Sequence, residues 1–140
     1  MATLKSPLVQ AKRAAGVGGG SQEIVAFASY TVTANLALND VIQMVPVPLG
    51  AVITGVTLSS TDLDSGAALV YDVGDGNDTD RHITATSIGQ AGGVASTMAL
   101  TGYGYTYTVD DTIDVLVKTA PAGGVASGTI TLKVSYLMNR

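Results

Sequence analysis

The chain has 140 residues, with seven lysines and arginines against eleven aspartates and glutamates, and only 13% of its side chains are charged. One domain is expected at this length, and the absence of cysteine excludes disulfides, thiolate metal sites and cysteine nucleophiles. Mean hydropathy is high at +0.37, but no apolar run reaches the ~18 residues of a membrane-spanning helix, so the apolar content points instead to surface buried between subunits.

Residues 1–22 show no periodicity and end in the glycine-rich stretch Gly16-Val17-Gly18-Gly19-Gly20-Ser21. They read as a flexible or extended N-terminal arm on a hinge. Residues 1–20 carry Lys5, Lys12 and Arg13 and no acid, whereas residues 21–140 carry four basic and eleven acidic side chains. A basic arm therefore precedes an acidic body. Three cations release few counterions and the body repels phosphate, so nucleic acid is not an expected partner. No apolar stretch follows the basic residues, so a signal peptide is not expected either.

Residues 23–140 read as a β domain. Ile24–Thr33 and Val41–Val45 are apolar on both faces in part. Val52, Thr54, Val56 and Leu58 mark a third strand, with Ile53 on its other face. Ala67–Val73 is a short strand, His82–Ser87 is a candidate turn of helix, and Val94–Leu100 is a weak strand. Tyr103, Tyr105, Tyr107 and Val109 alternate with Gly104, Thr106 and Thr108. Ile113, Val115 and Val117 alternate with polar residues, and so do Ile130, Leu132, Val134 and Tyr136. Period-two alternation places one face on a core and one outside. Turn chemistry separates the strands at Asn39-Asp40, Pro46–Gly50, Asp62–Gly66, Gly74–Asp80, Gly89–Gly93 and Pro121–Gly124. Seven to nine strands at this spacing predict an all-β antiparallel sandwich.

The candidate chemistry is sparse. Asp72, Asp75, Asp78 and Asp80 surround Asn77, and clustered carboxylates can bind calcium. Counted from Asp75, however, the EF-hand template fails: Asp80 stands where Gly is required and Thr86 where Glu is required. A turn capped by Asp side chains is the simpler reading. Asp62 and Asp64 flank Leu63 in another turn, without the scaffold of a glycosidase pair. Asp110 and Asp111 open a strand. His82 is the single histidine and reads as part of a polar patch with Asp80 and Arg81. No nucleophile elbow, Walker loop or dinucleotide fingerprint occurs, so neither a metal nor a cofactor is expected, and catalysis is not. The tyrosine stripe Tyr103, Tyr105 and Tyr107 is the strongest binding signal, because tyrosine suits both sugar stacking and protein interfaces.

Several stretches are familiar as an ordered set. Tyr30-Thr31-Val32-Thr33-Ala34 precedes Leu38-Asn39-Asp40-Val41-Ile42-Gln43-Met44 and Pro48-Leu49-Gly50-Ala51-Val52-Ile53. Then come Leu63-Asp64-Ser65-Gly66-Ala67-Ala68, Val73-Gly74-Asp75-Gly76-Asn77-Asp78-Thr79-Asp80-Arg81, and Gly128-Thr129-Ile130-Thr131-Leu132-Lys133-Val134-Ser135-Tyr136. The set resembles small structural proteins of tailed phages, of the capsid decoration or cement type. The resemblance implies a jelly-roll-like sandwich of about eight strands that assembles as a homotrimer. It implies binding to the major capsid protein on the virion's capsid surface after synthesis in the host cytoplasm, with no catalytic residues. The arm residues Leu4, Leu8, Val9, Lys12 and Arg13 are then the expected partner contacts, with Tyr103, Tyr105 and Tyr107 a second set on the body. The alternative is a carbohydrate-binding or adhesin-like module of a phage tail or fibre that uses those tyrosines. An acidic-site hydrolase has the least support.

Overall fold

A computed structural model describes residues 22–138. The arm, apart from Gln22, lies outside the described residues, and with it Leu4, Leu8, Val9, Lys12 and Arg13. The body forms eight strands: β1 (Gln22–Val32), β2 (Val41–Val47), β3 (Ala51–Ser60), β4 (Val70–Gly74), β5 (Ile83–Thr86), β6 (Gly93–Ala95), β7 (Asp111–Thr119) and β8 (Gly128–Met138). A single 3₁₀ turn, Ile88–Gln90, follows β5. Two four-stranded sheets, β1-β8-β3-β6 and β2-β7-β4-β5, are antiparallel throughout.

Strands pair as β4 with β5, β3 with β6, β2 with β7 and β1 with β8. The chain is thus one long antiparallel ribbon, folded at the β4–β5 turn and rolled so that alternate rungs fall in opposite sheets. Rolling adds the β3–β8 and β4–β7 pairings. This is the strand order of an eight-stranded jelly roll, in which two facing sheets share one core.

Alternation decides the core. β1 buries Ile24, Ala26, Ala28 and Val32; β8 buries Ile130, Leu132, Val134 and Tyr136; β7 buries Ile113, Val115 and Val117. β3 differs from the sequence reading. Its inward residues are Ala51, Ile53, Val56, Leu58 and Ser60, because the register slips between Ile53 and Gly55. A bulge adds one residue and reverses the in-out phase. Glycine suits this point, since a Cβ on Gly55 would stand 2.8 Å from the Ser135 hydroxyl. A second bulge lies between Gln43 and Val45 of β2, where Met44 and Val45 are both buried.

Three other expectations are corrected. Ile83–Thr86 is a strand rather than a helical turn, and Ala85 within it has a φ of 53°. The strand expected at Val94–Leu100 shrinks to Gly93–Ala95. The tyrosine segment is not a regular strand: a turn over Leu100–Gly104 leads to one bridge between Thr106 and Val52. It runs beside the start of β3 beyond the reach of the short β6, bonding Tyr105 and Tyr107 to Ile53 and Ala51.

The connections divide between two ends. β1–β2, β3–β4, β5–β6 and β7–β8 turn at one end; β2–β3, β4–β5 and β6–β7 turn at the other, where residue 22 enters β1. At the first end Asp64 is 1% exposed. Its Oδ1 accepts from the amides of Gly66 and Gly123, and its Oδ2 from those of Ala68 and Leu69, all at 2.8–2.9 Å. Burial alone would raise the pKa of this carboxyl, but the four N–H donors hold it well below the usual carboxylate range. A folded-state pKa below the unfolded one stabilises at neutral pH, and that contribution is lost as pH falls below about 4. The variant Asp64→Asn should therefore melt lower than wild type at pH 7, and the difference should shrink at pH 2–3 in thermal melts. An equal gap at both pH values would mean that the charge is irrelevant.

Candidate interaction surface

At the entry end the Asp-rich turn of β4–β5 is a capped turn. Asp75 Oδ1 accepts from the amides of Asn77 and Asp78 at 3.0 and 2.9 Å. The turn doubles back so tightly that a Cβ on Gly74 would collide with the Asp78 carbonyl. The other carboxylates diverge. Asp72 accepts from the Ala85 amide at 2.7 Å and pairs with Lys118 at 3.3 Å, which holds the left-handed residue of β5. Asp80 lies near the Thr84 hydroxyl. Among the described residues no group of three or more His, Asp or Glu side chains is placed to hold a metal ion.

Asp75 is also the centre of a buried network. Its Oδ2 accepts from Arg81 Nε at 2.6 Å and from the Tyr107 hydroxyl at 2.9 Å. That hydroxyl has one proton, so it accepts from His82 Nε2, which lies 2.9 Å away. The network thereby assigns the His82 proton to Nε2 and leaves Nδ1 a buried acceptor without a partner. The Arg81 guanidinium lies 3.8 Å over the Tyr105 ring, and Tyr105 meets Tyr107 edge-on at 5.0 Å. Burial raises the pKa of Asp75, but Arg81, Tyr107 and two amides bring it below the usual range. Burial pushes His82 down to about 4 despite Asp75. His82 and Tyr107 are 0% and 2% exposed. With Asp75, His82 and Tyr107 buried and Arg81 covering them, the network fastens the β4–β5 turn to the tyrosine segment.

The candidate residues are thus separated. Tyr107 is core, Tyr105 is half-buried beneath Arg81, and Tyr103 is 68% exposed. They do not form one open face. Asp62 caps its own turn through the Asp64 amide, and Asp110 accepts from the Leu49 amide at 2.8 Å. His82 belongs to the Asp75 network and not to a surface patch with Asp80. The sequence reading did not single out the exposed Leu49 and Leu100, and it placed the exposed Val109 on the tyrosine stripe. For Leu49 the signal was a large apolar residue set inside the Pro46–Gly50 turn, where polar residues are the rule. On the outer face of the β2-β7-β4-β5 sheet, a pocket of about 190 Å³ opens between Val41, Leu116, Asp114 and the Gly74–Gly76 turn. Asp114 Oδ1 is buried there without a partner, and burial pushes this carboxyl up to about 6.

Two chains from phage capsids share this fold. One, from the capsid of Ralstonia phage GP4, aligns with a TM-score of 0.79 at 27% identity and covers 99% of this chain and 99% of that one. Another, from the capsid asymmetric unit of cyanophage Pam1, aligns at 0.76 and 32% identity over 92% and 94% of the two chains. No protein-family model and no curated protein sequence matches. A jelly-roll sandwich that capsid chains match nearly end to end is a virion structural protein. The chain belongs to the family of bacteriophage capsid-related proteins that includes the cyanophage Pam1 chain.

His82 and Asp114 make opposite contributions to acid stability. The folded His82 pKa lies below the unfolded value of 6.5, so its contribution is lost as pH falls from about 6.5 to about 4. The folded Asp114 pKa lies above 3.8, so ionising it destabilises the fold as pH rises from about 4 to about 6. His82→Gln, which keeps a donor for Tyr107, should flatten the acid loss in urea unfolding between pH 6.5 and 4. Asp114→Asn should stabilise the protein by about 1 kcal/mol at pH 7.5, allowing for partial solvent screening, and by nothing at pH 4. The reverse order would contradict these assignments.

Proposed function

We propose that the chain is a non-enzymatic capsid decoration, or cement, protein that binds the lattice of the major capsid protein and stabilises the phage head from its outer surface. The observation that carries this reading is the match over nearly the full length of both chains to chains from phage capsids. The construction of the body agrees with the role. Loops at both ends are tied down by buried carboxylates, and Tyr105 and Tyr107 are taken up by the Asp75–Arg81 cluster, which leaves Tyr103 as the exposed member of the stripe. The arm, with Leu4, Leu8, Val9, Lys12 and Arg13, supplies apolar and basic contacts to a capsid neighbour. Repetition over a lattice turns weak single contacts into strong retention through avidity. Val25 and Phe27, exposed on β1, and the high mean hydropathy support contact between copies; in this reading the copies assemble as a homotrimer after synthesis in the host cytoplasm.

Expanded empty capsids that lack this chain should co-sediment with the purified protein and gain heat resistance; no co-sedimentation overturns the reading. Deletion of residues 1–20 should weaken binding while the unfolding midpoint of the body stays unchanged. Sedimentation equilibrium at micromolar concentration should give three times the 14.1 kDa chain mass, and a monomer would remove the trimer from the proposal.

A further inference from the structure

The exposed apolar side chains are unevenly distributed. Eight large ones are exposed among the described residues. Leu38 is the one in the loops of the end that Asp64 closes, Val94 lies on β6, and Val25 and Phe27 lie on the outer face of β1. The remaining four, Leu49, Leu100, Tyr103 and Val109, lie on connections at the entry end. Leu49 and Val109 are neighbours, since the Leu49 amide bonds Asp110 and the Gly50 amide bonds the Tyr107 carbonyl. Leu100 and Tyr103 share a turn fastened to the β4–β5 connection: Thr101 donates to the Arg81 carbonyl at 2.9 Å, and the Ala99 amide to the His82 carbonyl at 2.8 Å.

These side chains stand on a frame held by the Asp75 network. Large apolar groups on preordered backbone lose little further entropy on contact, which favours an interface. The exposed Asp110, which accepts from the Leu49 amide, stands beside the set, and the exposed Glu23 lies near the start of β1 at the same end. The other end presents small residues, among them Ser65, Gly66, Ala67, Ala126 and Ser127.

We infer that the entry end of the sandwich faces the capsid shell, with Leu49, Leu100, Tyr103 and Val109 seated in an apolar depression of the lattice protein that is rimmed by lysines or arginines. The inference rests on the decoration reading. Residues 1–21 join the body at Gln22 on this same end, so an arm engaged with the lattice draws this end towards it. The acidic flank calls for a basic rim. The opposite end then points to solvent.

The test uses expanded empty capsids and the full chain. Leu100→Asp combined with Tyr103→Asp, and Leu49→Asp combined with Val109→Asp, should each weaken capsid binding at least tenfold, as expected for side chains at the centre of an interface. Leu38→Asp, at a residue as exposed as Leu49 and Val109 but at the far end, should change it less than threefold. Urea midpoints establish that the variants fold. Hydroxyl-radical footprinting needs no variant: Leu100 and Tyr103 should lose reactivity on decorated capsids while Leu38 keeps it. Wild-type binding by both double variants, together with weakening by the arm deletion, overturns the orientation and leaves decoration standing. Failure of the wild type to bind overturns both. Full protection of Leu100 and Tyr103 in the free protein assigns the set to contact between copies and overturns the inference.

Discussion

Each end of the sandwich is closed by one buried carboxylate. A rolled β ribbon leaves loops whose amides have no strand to bond, and buried amides without acceptors are costly. Asp64 answers for four such amides drawn from two separate loops. Asp75 answers for two amides, a guanidinium and a phenol at the other end. A carboxylate serves because it accepts at about four positions, whereas one carbonyl has two lone pairs. Without these anchors the facing sheets would still share an apolar core, but their connections would be free to move.

The same device explains how a chain with 13% charged residues keeps its loops rigid. Several of its few charges are spent inward, on Asp64, Asp72, Asp75 and Arg81. The surface left over is made largely of glycine, alanine, serine and threonine, with isolated large apolar side chains. Such a surface suits a protein that meets its partners in a crowded, repeated arrangement, and the likeness to phage capsid chains fits that setting.

The long strands were legible in the sequence because their alternation is local. β7 and β8 were read from it; β1 and β2 were read as strands apolar on both faces in part, and their burial alternates, in β2 only up to its bulge. The phase of β3 was misread because nothing in Val52–Leu58 announces a slip; Gly55 was the available hint. The short segment His82–Ser87 was read as a turn of helix because it has no clear alternation; in the strand it forms, Ala85 takes a left-handed conformation and its amide bonds Asp72, thirteen residues away. The tyrosine stripe satisfied period two, yet its course is set by the Asp75 network, a contact across some thirty residues that no local pattern encodes. The aspartate turn was read as a turn and is one. Its link to His82 and Tyr107 was invisible, because burial of a polar cluster depends on what the rest of the chain packs over it.

The rolled ribbon also sets an order of events. β8 lies between β1 and β3 and completes two of the three pairings of its sheet, the third being β3 with β6. β1 emerges from the ribosome about a hundred residues before β8, a wait of roughly 5–20 s at ordinary rates of synthesis. Until then its long apolar edge has no partner, and contacts so distant in sequence form slowly. A nascent chain cannot present the finished sheet early. Completion of the sheet is therefore reported by its inner strand, β8.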